Sequence, residues 1–180
     1  MENLLINKNK IIELIDLKTD NWMFSSSTNC YAFALGLDVP YSEISHHAYM
    51  VGCFAEDYLK SKNIDVYDLD FEQSFLEDLD YLGITHEEVI PECVIKEGSL
   101  EYSSFLVSLF FSHNDFHFLR KNQYDNLWYH KQGYLDLPRN RDSEGILIQN
   151  PRDAFLYDYM YYKTYKLSYK PLGGQHGLSI

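Results

Sequence analysis

Cysteine and histidine together support thiol chemistry near neutral pH, the sulfur as nucleophile and an imidazole as proton acceptor. In this chain a cysteine opens the stretch Asn29-Cys30-Tyr31-Ala32-Phe33-Ala34-Leu35-Gly36. Two histidines, His117 and His130, flank the polar segment Asn122-Gln123-Tyr124-Asp125-Asn126. One ring could take the thiol proton while the other holds that ring in a single tautomer, which is the nucleophile, base and orienter logic of thiol catalysis.

The elements that must position these groups can be read locally. Ser25 to Asn29 offers side-chain oxygens that cap helices, and Gly36 is a stop signal, so the spacing predicts a short apolar helix with Cys30 at its mouth. Unpaired N–H groups and the positive end of the helix favour thiolate there, predicting a pKa lowered from about 8.5 by a unit or more. The same N–H groups could hold an oxyanion. A reduced cysteine before an apolar run is also an ordinary packing residue. The histidines add the discriminating pattern, because Asp115 to Gly133 reads as two alternating aromatic runs about a turn, a hairpin that brings His117 and His130 to nearly facing positions.

A cysteine at a helix start, a strand histidine, and a polar residue on the next strand about a dozen positions on together resemble the papain-like fold, in particular its NlpC-type amidase branch. DFHFLRKNQYDNLWYHKQG followed by Gly145-Ile146-Leu147-Ile148-Gln149-Asn150-Pro151 is similar to small bacterial papain-like domains of poorly defined activity. The resemblance covers about 25–40 and 105–165. It implies Cys30 as nucleophile, His117 as base and His130 as third member. The aspartate-cysteine-serine opening usual in the amidase branch is here Asn29-Cys30-Tyr31, so activity on cell-wall peptide does not come with the fold. Asn29, Tyr31, Trp22 and Trp128 are the candidate substrate-binding and oxyanion residues, Trp22 with Met23 and Phe24 forming either one wall of a cleft or a buried anchor for its loop.

A chain of 180 residues with 46% hydrophobic content and no Pro- or Gly-rich linker suits one domain over 1–180. The expected class is α+β: a mostly helical part over 3–83, and a central antiparallel sheet over 90–170 against which the Cys30 helix packs so that Cys30 reaches His117. A formal charge of −12 disfavours nucleic acid, whose phosphates would be repelled, and leaves a peptide or protein substrate or a basic protein partner. MENLLINKNKIIELIDLK holds no apolar run long enough for a signal peptide or membrane span. Cys30, Cys53 and Cys93 cannot all pair and read as reduced thiols in a cytosol. No cofactor is expected: there is no phosphate-cradling or dinucleotide fingerprint, and His46, His47, Cys53 and Cys93 match no compact zinc-ligand spacing.

Apolar periodicity predicts helices over 3–16, over 52–62 and over 71–82, the last with Glu72, Glu77, Asp78 and Asp80 facing water. Ile64 to Leu69, Cys93 to Ile95, Phe105 to Phe111, Ile146 to Ile148 and Tyr161 to Tyr169 read as strands, and Thr85 to Glu88 as a helical turn. A second function class fits the same chain: an inactive scaffold whose acidic surface engages a basic protein. A third, acyl transfer or glutamine deamidation, uses the same three residues as hydrolysis.

Overall fold

The computed structural model describes residues 28–36, 50–95, 103–133 and 136–169. The expected helix over 3–16, Trp22 and its neighbours, and His46 and His47 lie outside the described residues. Among the described residues five strands make one antiparallel sheet: β1 (Thr85–Val89), β2 (Ser103–Phe111), β3 (Phe116–Lys121), β4 (Trp128–His130) and β5 (Met160–Tyr169). Their spatial order is β1-β5-β2-β3-β4.

The almost unbroken apolar run of β2 is explained by its central place, because successive side chains alternate between two covered faces. Phe105, Val107 and Leu109 join Phe116, Phe118, Tyr165 and Leu167 in one buried cluster. Leu106 and Phe110 join Leu119, Trp128, Ile148 and Leu156 in another. Beyond β4 the sheet edge is covered by the chain's own later segments. The Trp128 amide donates to the Ile148 carbonyl at 2.9 Å, and His130 exchanges backbone hydrogen bonds with Arg139, both at 2.8 Å.

Among the described residues three helices accompany the sheet: α1 (Cys30–Leu35), α2 (Glu56–Ser61) and α3 (Phe71–Leu82). A six-residue helix is not stable alone. Side-chain burial supports α1 instead: Tyr31, Phe33 and Leu35 are inaccessible to solvent, and burying each contributes roughly 1.5–3 kcal/mol. In α3 a capping box between Asp70 and Gln73 satisfies the first turn, and Gly83 closes the last turn with a left-handed φ of 73°. The Glu72 carboxylate, in that first turn, is bonded by Tyr162, Lys163 and Tyr165, tying α3 to β5.

Several local expectations change in the fold. Asp78 faces inward, not water: Phe75, Asp78, Leu79 and Leu82 form the inner stripe of α3. The predicted strand over 64–69 is a single 3-10 turn, Val66–Asp68, because the Asp65 carboxylate accepts the Tyr67 amide locally. Thr85 to Glu88, expected as a helical turn, is strand β1, held by pairing from Thr85↔Ser168 to Val89↔Thr164. Cys93 to Ile95 and Ile146 to Ile148 lie outside the strands. Helix α2 begins only at Glu56, since Gly52 has a φ of +91° and the Gly52, Phe54 and Ala55 amides turn toward Asp78. Among the described residues no helix is long and apolar enough to cross a membrane.

Candidate functional site

Cys30 is the first residue of α1, and Asn29 is its N-cap. The Asn29 side-chain oxygen accepts the Ala32 amide at 2.9 Å, leaving the Cys30 and Tyr31 amides turned toward the sulfur. At the other end of the helix, the Arg120 guanidinium of β3 donates to the Ala34 carbonyl at 3.5 Å and lies over the Phe105 ring.

The two histidines meet on the sheet. Leu119 is the cross-strand partner of His130, so His117 stands two residues along β3 on the same face. Its Nε2 is 2.9 Å from Nδ1 of His130. Nε2 of His130 is 2.9 Å from the Arg141 carbonyl oxygen, which can only accept. His130 therefore carries its proton on Nε2 and accepts on Nδ1, which requires His117 to donate from Nε2. Nδ1 of His117 is left as the lone-pair nitrogen. The carbonyl of a loop residue thereby fixes the tautomers of both rings, a device that cannot be read from spacing.

Burial governs how the site ionises. The His117 ring is pushed down to about 3 by desolvation, with His130 adding a smaller repulsion, and desolvation also lowers His130. Cys30 as a whole residue is half-buried, but burial of its thiol pushes it up to about 12. The Phe118, Tyr31 and Cys30 amides only partly counter this, and Asp115 adds to the rise. The thiol expected below 8.5 is thus corrected: desolvation outweighs the amides at the helix start. The resting pair is neutral thiol and neutral imidazole. Among the described residues no hydrogen bond joins the thiol to either ring.

The sulfur meets the sheet at an edge instead of across a face. Strand β4 pairs with β3 only from Leu119 onward, and the Phe118 amide is turned to the Cys30 sulfur. Tyr31, at the start of α1, packs its ring 5.2 Å from that of Phe118, while His117 points to the opposite face. Sulfur and imidazole therefore approach one backbone stretch from two sides. Around them stand Asp115 and Tyr159. The Tyr159 hydroxyl donates to the Asp115 carboxylate at 2.5 Å, and its ring centre is 5.3 Å from that of His117.

Three of the residues expected to bind substrate have other positions. Trp128 is fully buried with Leu106, Phe110 and Leu119, so it is core and not a substrate-binding residue. Tyr31 is equally buried, and its hydroxyl donates to Asp78 at 2.7 Å. Asn29 is half-buried and spends its side-chain oxygen on the cap. Trp22 lies outside the described residues.

Two buried polar residues, Asp78 and Lys131, brace the site. Asp78 accepts from the Tyr31 hydroxyl and the Gly52, Phe54 and Ala55 amides at 2.7 to 2.9 Å, joining α3 to the residue after Cys30 and to the approach to α2. Its place at i+3 from Phe75 was the available signal. Lys131, the residue after His130, is fully buried and donates to the Thr28 and Gly133 carbonyls. Among the described residues no cluster of His, Cys, Asp or Glu is placed to hold a metal ion. Compared with protein-family models, curated proteins and solved structures, the chain matches none.

Proposed function

We propose that the protein is a thiol hydrolase, a peptidase or amidase of papain-like architecture, in which Cys30 is the nucleophile, His117 the base and His130 its orienter. The observation that carries this reading is the chain of hydrogen bonds from His117 Nε2 to His130 Nδ1 and from His130 Nε2 to the Arg141 carbonyl. It holds the Nδ1 lone pair of His117 unprotonated on the residue before Phe118, whose amide is turned to the Cys30 sulfur.

The chemistry then runs from a neutral pair. Once the Cys30 sulfur is brought round the edge of β3 to His117, Nδ1 of His117 takes the thiol proton as sulfur bonds to the carbonyl carbon, and the carbonyl electron pair moves to oxygen, where the Cys30 amide can donate. Collapse of that adduct breaks the bond to the leaving amine, which takes the proton back from His117. Water then adds to the thioester with the same base, the carbon–sulfur bond breaks, and the thiol is restored. An amine in place of water turns the cycle into acyl transfer, and a glutamine side chain as substrate makes it deamidation.

A second reading is favoured by two observations: the thiol is held up near 12 and the imidazole held down near 3, and the net charge is −12. An unreactive scaffold that binds a basic protein through its acidic surface would have these properties. Electrophilic acyl probes on wild type and Cys30→Ala separate the readings. Labelling confined to Cys30 and dependent on His117 supports the hydrolase, whereas an unlabelled Cys30 with salt-sensitive binding to a basic partner supports the scaffold.

A further inference from the structure

Lysine is almost never fully buried unless partnered. Lys131 is 0% exposed, and among the described residues no carboxylate lies within ion-pair distance of it. Its ammonium is instead clasped by two backbone carbonyls, Thr28 and Gly133. Thr28 is two residues before Cys30, and Lys131 directly follows His130 in sequence. One side chain therefore ties the approach to the nucleophile to the strand carrying the third member. Arg120 does the corresponding work at the far end of α1, on the Ala34 carbonyl. Two cations, one on β3 and one just past the end of β4, hold the two ends of a helix too short to hold itself.

The charge also has a direction. Desolvation lowers Lys131, while Asp136 and the Cys30 sulfur favour its charged form. Around the sulfur the opposing influences are Asp115 and Tyr159. Asp115 disfavours thiolate, whereas a positive charge near the sulfur favours it.

Resting on the thiol-hydrolase reading, we propose that Lys131 is a positioning residue of this site: clasped by the Thr28 and Gly133 carbonyls, it fastens the start of α1 to the His130 strand and keeps one positive charge near the Cys30 sulfur. The full-length chain is assayed as wild type, Lys131→Met and Lys131→Arg, following iodoacetamide alkylation of Cys30 at pH 8.5 by peptide mass mapping. Lys131→Met is expected to slow alkylation about tenfold, the effect of losing one nearby opposite charge, and Lys131→Arg to restore it to within a few-fold of wild type. A folded Lys131→Met chain alkylated at the wild-type rate overturns the proposal.

A second comparison leaves Lys131 intact, so that it stands if those variants fail to fold. Cys30→Asp places a standing anion where the sulfur was, and Cys30→Asn does not. The Lys131 side chain, titrated by heteronuclear NMR, is expected to hold its proton about one unit higher in Cys30→Asp. Equal titration overturns the proposal. Acyl-probe labelling of His117→Ala is run alongside: if it equals wild type the hydrolase reading fails, whatever the Lys131 comparisons give.

Discussion

Nε2 of His117 lies 2.9 Å from Nδ1 of His130 although the two residues are two positions out of register, Leu119 being the cross-strand partner of His130. The diagonal is bridged because His130 is itself pinned by the Arg141 carbonyl. His130→Phe keeps an aromatic ring but removes the acceptor, leaving the His117 Nε2–H buried without a partner. Acyl-probe labelling of Cys30 should fall about 10- to 100-fold, less than for His117→Ala, where the base itself is gone. Equal losses in the two variants, measured as labelling rates, would contradict the assignment of base and orienter.

Stability should depend on pH through His117. Its folded-state pKa, about 3, lies below the ordinary 6.5, so between those values the unfolded chain binds a proton that the folded chain does not. Stability from this group is therefore present above pH 6.5 and lost as pH falls toward 3. Asp78, raised to about 6 by burial against its four hydrogen-bond donors, acts oppositely between 6 and 3.8. Comparing urea unfolding of wild type and His117→Asn cancels the Asp78 contribution. Relative to His117→Asn, wild type should lose a few kcal/mol, at about 1.4 kcal/mol per pKa unit, between pH 7 and pH 4. A pH-independent difference would contradict buried neutral His117.

Asp78→Asn tests the inner polar staple. An amide has two donor hydrogens where the carboxylate accepted, so two of the four donors now face N–H. Because Tyr31, Gly52, Phe54 and Ala55 all contribute donors there, the expected loss is about 2–4 kcal/mol in chemical unfolding. Wild-type stability in Asp78→Asn would mean that the carboxylate does not organise the segment.

Gly52→Ala should destabilise for a steric reason. The backbone φ is +91°, and an added Cβ would lie 2.3 Å from Cγ2 of Val66 and 3.3 Å from Cβ of Ser74. A loss of about 1–3 kcal/mol follows from left-handed backbone and overpacking together, read from the shift in melting temperature. An unchanged midpoint would mean the 50–55 segment tolerates rearrangement.

The sheet was legible in the chain where a segment's own pattern matched its environment. The apolar run of β2, the turn between His117 and His130, and the alternation of β5 each declared a strand without knowing its neighbours. Thr85 to Val89 did not, because its hydrogen bonds go to residues some eighty positions away, while its sequence offers capping residues as well. Asp78 sends two opposed signals, an acidic side chain and a place in the i, i+3, i+4 stripe, and the stripe prevails because four donors meet the carboxylate. Histidine spacing pointed to the pair, but the Arg141 carbonyl that fixes both tautomers lies in a loop with no local signature. The thiol's ionisation depends on desolvation by distant elements, which a helix start alone does not reveal, and Trp128, a substrate-binding candidate by residue type, is turned into the core by β4.

Peptide mass mapping of the full-length protein after exposure to a peptidyl acyloxymethyl ketone tests the central claim most directly. The adduct is predicted on Cys30, absent from Cys53 and Cys93, and reduced at least about 100-fold in His117→Ala. An adduct that forms on Cys30 equally well without His117, or that never forms there, would contradict a base-assisted nucleophile at this site.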